Sequence, residues 1–313
     1  MNGTMRAVRG HRRGGPEELI YEDAPKPVPV HGDVLVEVRA ASVTPGELGW
    51  DATWTDGLDG GSPRLPVVPS KEVSGVVAEL GHGVTEFRPG EAVYGLIPFT
   101  RDGAAAEFVT VPAGVLAAKP GSLDHERTAA LPLAGLTAWQ GLADHAGLTS
   151  GARVLVHGGA GGVGSLAVQV AAALGARVTA TASAGDLDFV RGLGADEVID
   201  YAGQRFEDEV KDADIVFDTV GGDTLARSWE VLRPGGVLVS VVEPPEPPAG
   251  ADARAVFFVV EPDRAGLEEL TALVEAGRLI PQVDRIVPLE SAPGAYAALE
   301  REHRRGKIVL RVS

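Results

Sequence analysis

Val154-Leu155-Val156-His157-Gly158-Gly159-Ala160-Gly161-Gly162-Val163-Gly164 is the stretch that decides the fold, because an apolar run leads straight into Gly159-x-Gly161-x-x-Gly164. Three glycines at this spacing say little alone. With 41 glycines in 313 residues, about 0.7 matches arise by chance. The flanking residues carry the inference. Val163, Leu166, Ala167, Val170, Ala171 and Leu174 recur at the spacing of a helix packed on a sheet, and Gly175 stops that helix. A second strand, Arg177 to Ala182, follows after one residue. Strand, glycine turn, helix and strand within about thirty residues form one half of a Rossmann sheet. There, side chains at Gly159 or Gly161 would hold the backbone away from a pyrophosphate, and one at Gly164 would hold helix and strand apart. The amides along Ala160, Gly162 and Val163 then meet the phosphates at the helix start.

Working outward, β runs alternate with helical stripes at Arg153–His157, Arg177–Ala182, Glu197–Asp200, Asp214–Val220, Gly236–Val241 and Ala255–Val260. Six such strands predict a doubly wound parallel sheet over residues 124–262. Before it, Val34–Ala40, Val73–Leu80, Ala92–Leu96 and Ala105–Val111 are short β segments separated by glycine and proline, a mostly β domain over residues 1–123. After it come a helix from about Ala265 to Ala276, a β-like segment near Val283, a helix from about Ala292 and a last strand, Lys307–Val312. This tail, 263–313, is expected to complete the first domain. The fold class is therefore α/β, a Rossmann sheet joined to a mostly β domain.

Composition bounds the function. The net charge of −16 argues against nucleic acid or anionic membranes as partners. The absence of cysteine excludes disulfides, thiolate catalysis and cysteine-based zinc sites, and makes the cytoplasm the expected location. The basic stretch Met1 to Gly15 has no apolar core resembling a signal peptide, and no run is long enough to span a bilayer.

The ordered landmarks Ala41-Ser-Val-Thr-Pro45, Glu72-Val-Ser-Gly75, Gly81-His-Gly-Val84, Pro89-Gly-Glu-Ala-Val-Tyr-Gly95, Leu136-Thr-Ala-Trp-Gln140, Gly194-Ala-Asp196, Phe217-Asp-Thr-Val-Gly221 and Gly306-Lys-Ile-Val-Leu310 resemble the medium-chain dehydrogenase/reductase superfamily. Within it they are similar to the zinc-free quinone oxidoreductases related to zeta-crystallin, over nearly the whole chain. The resemblance implies a GroES-like β domain beside the Rossmann domain, a small-molecule substrate and a homodimer, for which Ala255–Val260 is the suggested dimer strand. It also implies that Thr137 and the glycine turn touch the diphosphate or nicotinamide, and that Val241 and Phe258 to Val260 line the nicotinamide. Phe257 to Val260 read equally well as a buried strand. Zinc-dependent relatives place a His before the Glu of the motif that is here Ser70-Lys71-Glu72. His157 reads as a hydrogen-bonded core residue, and no metal site is expected.

An NAD site usually offers a carboxylate at the end of the second strand, where this chain has Thr179-Ala-Thr-Ala-Ser183. Hydroxyls at Thr181 and Ser183 favour NADPH, while nearby Asp186 keeps NADH open. Arg191, Tyr201, Arg304 and Lys307 are candidate partners for a 2′-phosphate, although cations near a helix C-terminus also serve its dipole. The implied activity is zinc-independent hydride transfer from NADPH to a quinone or α,β-unsaturated carbonyl. Related enoyl reductases carry a Tyr proton donor that is missing here, and Thr44 takes the place of a frequent Asn. Thr44, Tyr94 and Asp51 are the candidate catalytic groups, with water as the other proton source. Thr44 reads equally as a helix cap, and Asp51 as a solvated carboxylate. The loop Asp51 to Pro63 is expected to shape the acceptor pocket. The other reading is a non-catalytic NADP(H)-binding sensor or structural protein.

Overall fold

A computed structural model of the protein describes residues 3–312 and divides them into two units. The first contains the chain through Leu133, Glu261–Thr271 and the segment from Val283 onward; the second contains Ala134–Val260 and Ala272–Gln282.

In the second unit the strands are β1 (Arg153–Val156), β2 (Arg177–Ala182), β3 (Glu197–Asp200), β4 (Ala213–Asp218), β5 (Leu232–Ser240) and β6 (Ala253–Phe257). They lie in the order β3-β2-β1-β4-β5-β6, with every neighbouring pair parallel. This is the Rossmann order, with its crossing point between β1 and β4, and ligands of such sheets sit beyond the carboxyl ends of the strands there. The helix α1 (Gly162–Ala173) buries Leu166, Ala167, Val170 and Ala171, the stripe read from the sequence. Burying Leu166 and Val170 contributes about 1.5–3 kcal/mol each.

The edge strand β6 differs from its expected span, Ala255–Val260. Its register with β5 runs from Gly236↔Ala253 to Ser240↔Phe257 and stops where β5 stops. Phe258 then turns its ring onto His145, with centroids 4.4 Å apart.

The boundaries expected at 123/124 and 262/263 also move. Glu72 accepts a hydrogen bond from the Leu133 amide at 3.0 Å and the His125 ring meets the Ser74 hydroxyl at 2.8 Å, tying residues 124–133 to the first unit. In the other direction, Gln169 on α1 reads the Ile280 backbone twice: its amide donates to the carbonyl at 3.1 Å and its oxygen accepts from the N–H at 2.8 Å. That pair holds residues 272–282 with the Rossmann unit.

The first unit is built around the strand Asp33–Val43, which pairs antiparallel with Glu72–Leu80, Phe108–Pro112 and the final strand Lys307–Arg311. Val283–Pro288, Ala92–Leu96 and Leu116–Ala118 extend the sheet. Val34, Val36, Val38, Val73, Val93 and Ile308 form its core. The C-terminal tail thus belongs to the first unit over Glu261–Thr271 and again from Val283 onward. Among the described residues, no helix is long and apolar enough to cross a membrane.

Candidate dinucleotide site

The turn after β1 is fastened by main-chain and side-chain bonds. Gly158 has φ +74°, a left-handed conformation that favours glycine, and a Cβ there would lie 2.6 Å from Thr219 Oγ1. Gly159 donates its N–H to the Thr181 carbonyl at 2.9 Å, and Gly161 donates to the Gly158 carbonyl at 3.0 Å. At Gly164 an added Cβ would sit 2.0 Å from the Gly158 oxygen, so only glycine lets the helix start approach the strand end. Gly161 differs: its φ is −72°, and a Cβ would meet nothing closer than the Gly158 oxygen at 3.4 Å, an ordinary contact. The fold itself does not demand a glycine at 161. Gly161 caps α1 without a side-chain hydrogen bond, and the amides of Gly162, Val163 and Gly164 lie in the first helical turn, where intrahelical acceptors are lacking. The twelve-residue helix adds its positive dipole end. This cradle fits a diphosphate.

Beneath the turn His157 is fully buried, and its tautomer follows from its neighbours. Ser228 donates its hydroxyl proton to the Thr224 carbonyl at 2.7 Å, so the 3.0 Å contact to His157 Nε2 is an N–H donated to Ser228. Nδ1 is then the acceptor, receiving the Thr181 hydroxyl at 3.2 Å, while that same oxygen accepts the Gly158 N–H at 3.2 Å. Burial, helped by the Arg227 charge, pushes the His157 pKa down to about 3. A neutral histidine thus holds Thr181, and Thr181 holds the glycine turn.

These bonds redefine several residues expected to bind cofactor. Thr181 is buried with its one proton given to His157. Ser183, half-buried, donates to Asp186 Oδ2 at 2.6 Å. Arg191 pairs with Asp188 at 2.7 Å. Arg304 donates to the carbonyls of Ala298, Leu299 and Glu302, capping the helix Ala292–Arg301. Lys307 is buried in the first unit, 2.5 Å from Glu72 Oε2 and 3.0 Å from Thr44 Oγ1. The dipole reading therefore describes Arg304, and a buried ion pair describes Lys307. Tyr201 stands 61% exposed beside β2, its N–H on the Ala182 carbonyl. Thr137, Ala160 and Val260 are buried; Val241 donates its N–H to the Asp218 carbonyl at 3.2 Å. Phe258 is half-buried against His145, one residue beyond the end of β6 and so outside the strand expected of it.

Two organising groups escaped the sequence reading. Asp218, at the end of β4, accepts from the Val220 and Gly221 amides and the Ser240 hydroxyl, joining the loops after β4 and β5; burial pushes its pKa up. Its place before Thr-Val-Gly was the available signal. Gly158, first in the turn, was the other.

In the first unit the candidate catalytic residues are engaged as well. Tyr94 is fully buried, donating to the Leu267 carbonyl at 2.6 Å and touching Thr271 Oγ1 at 2.8 Å, with its pKa raised by burial. It is a core anchor. Thr44 donates to Glu72 Oε2 at 3.3 Å while accepting from Lys307. Asp51 is paired with Arg13 at 2.6 Å near the surface. Around Ser70-Lys71-Glu72 a further polar cluster is packed. Ser70 has φ +73°, held by Glu47 Oε1 on its N–H at 2.6 Å and by its own hydroxyl on the Ser42 carbonyl at 2.8 Å. Tyr296 donates to Glu47 at 2.8 Å, and burial raises the Glu47 pKa. Lys71 donates to the Arg101 carbonyl, and burial lowers its pKa to about 8. With an ammonium at Lys71 and Glu72 taken by Lys307, this donor set does not fit a zinc ion.

Residues 30–121 match the family model described as alcohol dehydrogenase GroES-like domain, and residues 193–310 match that described as zinc-binding dehydrogenase. A probable mitochondrial zinc-binding oxidoreductase of Arthroderma benhamiae is 35% identical over 94% of this chain and 93% of the relative. The chain belongs to the medium-chain dehydrogenase/reductase superfamily. A chloroplastic NADPH-dependent alkenal/one oxidoreductase of Arabidopsis thaliana is 34% identical over 88% of the chain and 71% of that relative. Among solved structures, the quinone oxidoreductase from Coxiella burnetii superposes with a TM-score of 0.87 at 31% identity, covering 99% of this chain and all of that one. The chain is thus an oxidoreductase of this superfamily.

Proposed function

We propose that the protein transfers a hydride from a reduced nicotinamide dinucleotide to a quinone or an α,β-unsaturated carbonyl, without zinc. The carrying observation is the turn at Gly158–Gly164, whose helix-start amides and open space at Gly161 suit a diphosphate. The bound dinucleotide supplies the hydride from its nicotinamide ring. The protein's share is to bind and orient: the first-turn amides hold the phosphates, and His157 with Thr181 keeps the turn in shape. Relatives named for quinones and alkenals or enones support the acceptor class. Both acceptors take up a hydride and a proton, and the proton comes from water, since Thr44, Tyr94 and Asp51 are each committed to protein partners. The donor set at Ser70-Lys71-Glu72 supports zinc independence.

NADPH, favoured by the sequence, belongs to the same proposal: Arg304 and Lys307 are bound within the first unit, while Arg191 and Tyr201 stand exposed in the second. A homodimer along β6, which leaves Phe257 and Val259 exposed, belongs to the same proposal, as do a cytoplasmic location and the absence of nucleic-acid or membrane partners. Two relatives bear mitochondrial and chloroplastic names.

The test is anaerobic oxidation of NADH and NADPH with a panel of quinones and enones, followed by nicotinamide absorbance, in wild type and Gly161→Val. Acceptor-dependent turnover that the variant loses supports the reductase. The engagement of all three candidate acids favours one rival, a dinucleotide-binding sensor or structural protein. Tight binding with no turnover on any acceptor would establish that rival.

A further inference from the structure

The fold of the first unit brings together two histidines that lie far apart in the sequence. His31 sits on the turn leading into the strand Asp33–Val43, and His82 on the turn leaving the strand Glu72–Leu80. These strands pair antiparallel with Val34 opposite Leu80, so the two turns lie side by side. The Gly32 amide donates to the His82 carbonyl at 3.0 Å, and the Gly81 amide donates to the Asp33 carbonyl at 2.8 Å. The backbones that carry the two rings are therefore fixed to each other, and only side-chain torsions remain to be set.

Both imidazoles are exposed, with ring centroids 5.5 Å apart and planes tilted by 39°. Among the described residues, neither ring is held by a hydrogen bond or an ion pair. By contrast His11 pairs with Glu22, His125 meets Ser74, His145 packs on Phe258 and His157 is buried. Gly83 has φ +87°, and a Cβ there would lie 2.9 Å from His31 Nε2. That glycine leaves room for the nitrogen edge of His31 beside the turn that carries His82.

A zinc–imidazole bond of about 2.0–2.1 Å puts the ion about 3.2 Å from each ring centre, so a tetrahedral angle at the metal separates the centres by about 5.2 Å. The observed separation is close to that value. A right angle at the metal, as in square-planar or octahedral coordination, would need about 4.5 Å. Neutral imidazole suits Zn²⁺, and the net charge of −16 favours a cation at the surface. Among the described residues no group of three His, Asp or Glu side chains could hold a metal ion, so water would complete the coordination. Such a site exchanges its ion, unlike a closed structural site with four protein ligands.

We propose that His31 and His82 together bind one Zn²⁺ ion, or another dication of tetrahedral preference, where their two turns meet. The sequence reading, which expects no metal site, treats these histidines singly. The bound ion bridges the turns and stabilises the ends of the paired strands. It takes no part in hydride transfer, so this site stands or falls apart from the reductase reading.

The test is titration of the full chain with zinc chloride against a zinc-sensitive indicator, together with thermal melts over the same range. The expected result is one Zn²⁺ per chain and a Tm that rises with zinc concentration. His31→Gln and His82→Gln should each weaken binding at least about ten-fold and abolish the rise in Tm, because a single imidazole cannot chelate. Both side chains are exposed, so without zinc the variants should melt with wild type. His11→Gln removes the other exposed imidazole that is paired with a carboxylate, and should leave zinc binding unchanged. No zinc binding by wild type, or binding that survives both His31→Gln and His82→Gln, or binding lost in His11→Gln instead, overturns the proposal.

Discussion

Gly161 and Gly164 are three residues apart in one motif, yet the structure gives them opposite burdens, and substituting each by alanine separates folding from ligand binding. At 164 the new methyl would lie 2.0 Å from the Gly158 oxygen and 2.7 Å from its carbonyl carbon, both main chain. No side-chain rotation relieves that contact, so α1 must withdraw from the end of β1 by more than 1 Å. Overpacking of this kind costs about 3 kcal/mol. For a unit of this size each kcal/mol shifts Tm by roughly 2–4 °C, so the apo Gly164→Ala protein should melt roughly 6–12 °C below wild type. At 161 the methyl meets one atom at an ordinary 3.4 Å and φ is negative, so the small loss in capping preference offsets the reduced freedom of the unfolded chain. The Gly161→Ala protein should melt within about 2 °C of wild type. Gly161→Val should fold as well, and lose dinucleotide affinity. Differential scanning calorimetry of the apo proteins, followed by nucleotide titration, reads both. If Gly164→Ala melts with wild type, or Gly161→Ala falls as far as Gly164→Ala, the assignment of one glycine to packing and the other to ligand access is refuted.

Lys307→Met should destabilise the protein by about 3–5 kcal/mol, because it strands the buried Glu72 carboxylate, and adding Glu72→Gln should recover much of that loss in denaturant titrations. Tyr94→Phe removes the hydrogen bonds to Leu267 and Thr271 and should cost about 1–3 kcal/mol while leaving kcat unchanged; a large fall in kcat with normal stability would return Tyr94 to the chemistry. His157, with its folded pKa near 3, should make stability depend on pH below neutrality. The unfolded chain binds the proton first, so the contribution is complete above the ordinary histidine range and is lost as pH falls toward about 3. His157→Gln should flatten that part of a stability-against-pH curve, and an unchanged slope would contradict the neutral, buried assignment.

The fold was legible wherever periodicity carried it. The α1 stripe and the inner parallel strands follow from apolar spacing, because a sheet covered on both faces leaves little choice of residue. The boundaries were less legible, since they rest on single long-range bonds: Gln169 to Ile280 on one side, Leu133 to Glu72 on the other. Nothing in the local sequence distinguishes Gln169 from a solvent-facing helix residue. The same holds for β6, whose end is set by where β5 ends rather than by its own Phe257-Phe258-Val259-Val260 run.

At the candidate site, residue type proved a poor guide to what a group can still donate. Thr181, Ser183, Thr44 and Tyr94 all carry a hydroxyl, which is why each was a candidate. A hydroxyl has one proton, and in this fold the four protons go to His157, Asp186, Glu72 and the Leu267 carbonyl. Such commitments depend on partners 3 to 173 residues away in the chain. A hydroxyl whose proton is taken still accepts, so what each of these groups can offer a ligand is set by its partner and not by its residue type.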